Sequence, residues 1–328
     1  MQNKLILTLL SFLIFSCQDL PDSIGNNNEL IIITSKEDRE LIEYKIRDNF
    51  SSFINTPIEE YKYDISWIIP DDFIKYKFHK NIIILSLKHP EDSTIDLLYN
   101  KFKYQYNDLE LFSLYNLYSK NQIIMPIGSH NSISLINLIE SNKNWINKEI
   151  DTNINLNFEK QLFMKAKNDS ISAIINNKFS IDAYIDINYK IIDNNDKFLR
   201  IGRGMPYRWL IFTKLPGSSI LSNSTNEIRA PFAQTIFKEF ELLLNQNIEG
   251  LSISDYFKVK DGDLYRGLYE HEYSDTGGPF FINMIVDNNT DNEVILVAGF
   301  VNNPGKNKYI ILKELEVIVK NIRSTTNE

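Results

Sequence analysis

Apolar positions keep two different rhythms along the chain, and the change between them divides it. Glu29–Thr34 (ELIIIT) is a short aliphatic run of the kind a buried strand shows. Ser35 follows as a helix cap with Asp38 three residues on, and Leu41, Ile42, Tyr44, Ile46 and Phe50 mark a helical face reaching to about Phe53. Ile65–Ile69 and Asn81–Leu87 predict two more strands, punctuated by Pro70 and Pro90, and Gln122–Pro126 a fourth. Strands and helices alternate, which predicts an α/β layered domain over residues 29–150. From Ser132 to Lys178 the period is helical, with Leu135, Ile136, Ile139 and Ile146 on one face and Phe158, Leu162, Ala166, Ile171, Ile174 and Ile175 on later ones. Residues 151–184 are expected to bridge the two halves.

Over 185–328 the strand rhythm dominates. Ile185–Ile192 and Lys197–Ile201 flank Asp193–Asp196, an expected hairpin turn, and Tyr207–Thr213 continues the sheet. Phe232, Ile236, Phe240 and Leu243 predict a helix over about Ala230–Asn247. Leu264–Tyr273, Phe280–Val286 and Glu293–Val301 predict an antiparallel meander ended by Pro304-Gly305. Ile310, Ile311, Leu315 and Ile318 form the face of a C-terminal helix. The predicted class is α+β: two α/β-type layered halves joined by a helical stretch, the second mainly antiparallel sheet with a C-terminal helix.

Length and composition agree with two folded domains, since 328 residues with 43% hydrophobic and 12% aromatic content can bury sizeable cores. The net charge of −8 argues against nucleic acid as a partner, which needs a basic footprint. The N-terminus changes the picture most. Leu5–Phe15 is an apolar run too short to span a bilayer, where about 20 residues are needed, but long enough for the core of a secretory signal. It ends in Ile14-Phe15-Ser16-Cys17, which resembles the bacterial lipobox, and Cys17 is the only cysteine in the chain. The expectation is a signal peptide over 1–16, a lipidated Cys17 and a polar tether to residue 28. Several acyl chains on Cys17 would hold the protein to a membrane. Gln18, in place of the Asp that retains lipoproteins on the inner membrane, points to the outer one.

No complete catalytic or metal motif is present. A lone cysteine excludes intramolecular disulfides and Cys-based zinc sites, and His79, His89, His130 and His271 have no metal-binding spacing. Asp275-Thr276-Gly277 copies the aspartic-protease triplet but occurs once and follows a polar segment, so a Gly-Gly-Pro turn is the plainer reading. Asp287, Asn289 and Asp291 begin a calcium-loop pattern that fails at Asn292 and Ala298. Gly202-Arg203-Gly204 lacks the third glycine of a dinucleotide fingerprint. No cofactor is expected.

Two clusters remain as candidate chemistry. Glu270, His271 and Glu272 lie together, with strand alternation expected to send both carboxylates to one face. Of 35 Lys and Arg only eight are Arg, yet Arg200, Arg203, Arg208, Arg229 and Arg266 crowd one stretch. Where lysine is used so freely, a local choice of arginine points to planar, bidentate pairing. One outlet is a site for a carboxylate, phosphate or acidic partner. The other, favoured because ion-pair networks are common, is a set of structural pairs such as Arg266 or Arg208 with Glu270 or Glu272.

The segment Tyr265–Phe280 (YRGLYEHEYSDTGGPF), then Val297–Pro304 (VAGFVNNP) and the helix carrying Leu315-Glu316, resembles the bacterial lipoprotein family called domain of unknown function 4837. Asp22–Gly25 with Glu29–Ile31, and Tyr207–Leu210, are similar to further segments of that family, so the resemblance is read over nearly the whole mature chain. Tyr269 and Thr276 depart from the family's Trp and Met. The resemblance implies a lipidated envelope protein and no catalytic residue. The expected function is a non-catalytic binding or scaffold module of the cell envelope, taking an envelope protein or an anionic or glycan ligand. Arg200, Arg203, Arg208, Arg266, Glu270 and Glu272 are its candidate contact residues. The alternative is an envelope hydrolase using Glu270, Glu272 or Asp275 with Arg266.

Overall fold

In the computed structural model, residues 19–54, 56–87, 93–104, 110–196, 198–216, 230–258, 264–274, 276–286 and 293–325 are described. They divide into two units: the chain up to Ser51 with Tyr63–Leu156, and Ser52–Lys62 with the chain from Asn157 onward.

The first unit opens with β1 (Glu29–Ile33) and α1 (Lys36–Asn49). Ser35 caps α1 as expected, its hydroxyl accepting the Asp38 amide at 3.0 Å. A two-rung hairpin, β2 (Phe53–Ile54) and β3 (Glu60–Tyr61), belongs to the second unit; β4 (Asp64–Ile68) returns to the first. Then come α2 (Phe73–Tyr76), β5 (Asn81–Ser86), α3 (Ser93–Lys103), β6 (Leu114–Tyr115), β7 (Ile123–Gly128), α4 (Ser132–Ser141) and the start of α5 (Lys143–Phe163). The sheet order is β4-β1-β5-β7-β6, parallel except for β6. Parallel strands need both faces covered. Ile31, Ile33, Ile82, Ile84 and Ile124 pack on one face against Phe73, Ile95 and Phe102, while Leu30, Ile32, Ile83 and Leu85, of opposite parity, are equally buried. Helix α3 is an element the apolar pattern did not predict.

Residues 19–28, expected as a tether, are bonded to this unit. The Ile24 amide donates to the Phe78 carbonyl at 3.0 Å, the Lys80 amide to Ile24 at 3.2 Å and the Lys120 amide to Pro21 at 2.8 Å. Buried Asn81 donates to the carbonyls of Asn27 and Glu29, and buried Asn153 donates to the Asn81 side chain at 2.9 Å.

The second unit continues with α6 (Asp169–Phe179), β8 (Ile181–Asp182), β9 (Lys190–Asn195), β10 (Phe198–Arg203), β11 (Tyr207–Pro216), α7 (Ala230–Asn247), β12 (Leu251–Lys258), β13 (Leu264–His271), β14 (Thr276–Val286), β15 (Glu293–Asn302), α8 (Tyr309–Lys320) and β16 (Arg323–Ser324). Its seven-stranded antiparallel sheet has the order β12-β13-β14-β15-β11-β10-β9. One face carries Ile211, Tyr265, Phe280, Ile282, Leu296 and Phe300, covered by Phe240 and Leu244 of α7. The α+β class is as read, and α8 packs on β14 and β15. Ile311, Leu312, Leu315, Val317, Ile318 and Val319 of α8 are all buried, as expected of a helix enclosed on most sides.

Three local readings are corrected. Ile185–Tyr189 is not strand: the Asp186 carboxylate accepts the Asn188 amide at 3.0 Å, a side-chain turn that competes with a ladder, and β9 begins at Lys190. Gly277-Gly278-Pro279 is not a turn but the start of β14, the bend lying at Glu272–Ser274. Strand β12 was missed, because a bulge between Ile253 and Asp255 breaks its alternation.

Candidate binding cleft

The glycines and aromatics of β13–β15 build the frame on which the cleft rests. Tyr269, Phe300, Phe280 and Trp209 form one cross-strand aromatic cluster, with Trp209 and Phe280 each stacked on Phe300 at 5.5 and 5.1 Å and Tyr269 edge-on to both Trp209 and Phe300. The buried Tyr269 hydroxyl donates to the Val301 carbonyl at 3.1 Å. Gly278 must be glycine here, since a Cβ would fall on that same carbonyl oxygen, and a Cβ on Gly277 would stand 2.6 Å from the Tyr269 backbone carbonyl oxygen. Burial raises the Tyr269 phenol above its ordinary value, so it stays a neutral donor.

At the β12–β13–β14 end of the sheet opens a cleft of about 920 Å³. Ser252, Ser254, Leu268, Glu270 and His271 line it from the sheet, with Glu249 and Glu272 at the turns, and Pro57, Ile58, Pro304, Gly305 and Lys308 complete the lining. Glu270 and Glu272 are both exposed, and the Glu272 amide donates to the Gly250 carbonyl at 2.8 Å. The Pro57–Ile58 wall is placed by Glu60. Its carboxylate accepts the amides of Lys308 and Tyr309 at 2.6 and 2.8 Å and stands 3.6 Å from the Lys308 ammonium. Lys308, at the N-cap of α8, has no side-chain cap of its own, so Glu60 supplies from a distant part of the sequence the anion that a helix N-terminus favours.

The arginines lie elsewhere. Arg208 pairs with Glu314 and Arg266 with Glu316, both acids on α8. Arg203 reaches the buried Asp186 at 2.8 Å, and Arg200 reaches Asp193 across the β9–β10 pair at 2.6 Å. Arg266 and Arg208 therefore do not pair with Glu270 or Glu272, and among the described residues none of these four arginines lines the cleft. Glu316 is 1% exposed, with Lys313 also within 3.4 Å. Burial opposes its ionisation, but the charges of Arg266, Lys313 and Lys320 outweigh it and hold the carboxyl below its usual range. Burial depresses the Lys313 ammonium, against the pull of Glu316.

The sequence-predicted residues thus separate. Glu270 and Glu272 meet at the cleft; Arg200, Arg203, Arg208 and Arg266 join internal pairs; Cys17, Arg229, Asp275 and the segment 287–292 lie outside the described residues. Among the described residues no group of three His, Cys, Asp or Glu is placed to hold a metal ion, and no helix is long and apolar enough to cross a membrane. Sequence reasoning missed Glu249, Ser252, Ser254, Lys308 and the Pro57–Ile58 wall.

No curated protein matches the sequence. Two solved structures show a faint likeness. The Saccharomyces cerevisiae Ran-binding protein Mog1p is 9% identical, covering 44% of this chain and 90% of its own, with a TM-score of 0.30. A point mutant of Mog1 is also 9% identical, with coverages of 45% and 92% and the same TM-score of 0.30. So slight a likeness carries no argument. Residues 23–162 match the family described as Domain of unknown function (DUF8532), so the opening segments Asp22–Gly25 and Glu29–Ile31 fall largely within that span, and the single-family resemblance does not extend over the whole chain. The segments Tyr207–Leu210, Tyr265–Phe280 and Val297–Pro304 fall within the other match, over residues 168–321, to the family described as Domain of unknown function (DUF4837).

Proposed function

We propose that this chain is a lipid-anchored protein of the bacterial cell envelope that holds a partner in the cleft of its second unit and performs no chemistry there. The observation that carries the reading is the lining of the cleft. Glu249, Glu270 and Glu272, all exposed, line it, and Lys308 among the lining residues is already matched with Glu60. Such a surface favours a neutral or cationic segment of another envelope protein over an anionic ligand. The hydrolase alternative asks for an arginine beside Glu270 and Glu272, and Arg266 is held by Glu316 instead. The apolar Leu5–Phe15 run and the lipobox-like Ile14–Cys17 support the anchor and export. Gln18 supports the outer membrane.

The test is in-cell photocrosslinking from a probe at Ser254, comparing wild type with a Glu249→Lys/Glu270→Lys/Glu272→Lys variant at equal abundance. One dominant protein adduct, lost in the charge-reversed variant while its melting transition is kept, supports the reading. An adduct indifferent to the charge reversal removes the cleft as the contact surface.

A further inference from the structure

We propose that the first unit stands on the lipid bilayer with the N-terminal ends of its parallel strands facing the headgroups. This rests on the lipidation of Cys17 proposed above, and adds which surface the lipid brings to the membrane.

The chain after Cys17 leaves little slack. Asp19 stands 2.9 Å from the Lys120 ammonium, Pro21 accepts the Lys120 amide, and Ile24 is bonded on both sides to the Phe78–Lys80 loop. Two residues of extended chain reach about 7 Å, so acyl chains on Cys17 enter the bilayer close beside Lys120. The segments that hold this stretch, Phe78–Lys80 and Asn116–Asn121, immediately precede β5 and β7. Because β1, β4, β5 and β7 are parallel, their starts share one end of the sheet. Their other ends, at Ser35, Leu87 and His130, lie about 17–20 Å away along strands that rise about 3.3 Å per residue.

The chemistry of the near end suits a headgroup layer. The Lys77 ammonium lies 5.0 Å from the Phe78 ring and 5.5 Å from the Tyr118 ring, an aromatic body with a cationic tip. Ile24 and Tyr115 are about half exposed at the same end. Aromatic and lysine side chains are what membrane–water interfaces collect. Of the acids there, Asp19 and Asp22 act on Lys120 and raise its ammonium above the ordinary value, Glu29 stands 3.2 Å from His79, Glu149 accepts from the Tyr115 hydroxyl, and Asp64 is exposed at the start of β4.

The experiment uses the full lipoprotein in phosphatidylcholine vesicles doped with a headgroup-nitroxide lipid. Acylation consumes the one native cysteine, so a single introduced cysteine takes a fluorophore uniquely. Tyr115→Cys reports the near end and His130→Cys, also exposed, the far end. The expected result is quenching several-fold stronger at 115 than at 130. Equal or reversed quenching on protein shown by mass spectrometry to be acylated overturns the orientation alone. Protein without acyl chains overturns the anchor, and the orientation with it.

Discussion

Removing the Arg266 guanidinium from Glu316 is the sharpest test of how the second unit is held together. In Arg266→Met the apolar stem is largely kept, so the change falls on charge. Glu316, 1% exposed, is left with Lys313 at 3.4 Å as its nearest cation. Breaking a buried pair by deleting one partner costs about 3–5 kcal/mol, and Lys313 places this case near the lower figure. That is a large share of the roughly 5–15 kcal/mol that hold a domain folded. The measurement is urea unfolding read through Trp209, with Trp67→Phe and Trp145→Phe removing the tryptophans of the first unit. The midpoint should fall with the slope unchanged. Arg266→Met/Lys313→Met/Glu316→Leu should recover most of the loss, since apolar side chains then replace all three charges and no buried ammonium is left without its acid. The pH dependence has a definite sign. Glu316 is held below its ordinary range, so its contribution is complete above that range and is lost as pH falls through the folded value. Without Arg266 burial prevails and the folded value rises, so the deficit against wild type is greatest near neutrality and shrinks on acidification. A loss under about 1 kcal/mol, the scale of an exposed pair, or a triple variant no better than the single one, would refute the argument.

Gly278→Ala should destabilise the second unit by about 1–3 kcal/mol, seen as a lower melting temperature, because its Cβ meets a backbone oxygen that has no rotamer by which to move away. Glu60→Gln should cost about 1 kcal/mol and speed hydrogen exchange at the Lys308 and Tyr309 amides, leaving exchange at the C-terminal turn of α8 unchanged. Ser35→Ala should cost about 1 kcal/mol in the first unit alone, read by unfolding through Trp67 and Trp145.

Where local rhythm decides structure, the chain was legible. Glu29–Thr34, Asn81–Leu87 and Ala230–Asn247 carry periods long enough to read, and each became the element expected within a residue or two. Legibility failed where a side chain or a neighbouring strand overrides the local pattern. Asp186 spends its carboxylate on a turn and on Arg203, which unmakes a strand that Ile185 and Ile187 otherwise suggest. Gly277-Gly278-Pro279 has turn composition but sits in β14, because what demands glycine there is the close approach of the Tyr269 and Val301 carbonyls, a tertiary fact. The short β2–β3 hairpin carries no rhythm at all, and its place in the second unit depends on Glu60 finding α8, some 248 residues away.

The same distinction separates the two candidate clusters of the sequence. Glu270 and Glu272 were legible as candidates because carboxylates need no distant partner to stay exposed; Glu270 reaches the cleft from β13 and Glu272 from the turn after it. The arginines were legible only as a composition. Arginine in a lysine-rich chain was read as a demand for bidentate geometry, but each guanidinium makes a single contact to its acid, with Glu314 and Glu316 on α8 and with Asp186, residues that no spacing rule connects to positions 203, 208 and 266. The family-like segments follow the same logic. Tyr269, Gly278, Gly299 and Phe300 are the pieces by which β13, β14, β15 and α8 approach one another, a Cβ on Gly299 standing 3.3 Å from Leu315 of α8. These segments therefore supply both the sheet–helix frame and part of the cleft, including Glu270 and Glu272, while Glu249, Ser252, Ser254 and Pro57–Ile58 reach the cleft from outside them. A partner held in the cleft, as proposed, should therefore respond to reversing the charge of Glu249, Glu270 and Glu272, and not to changes at the arginines.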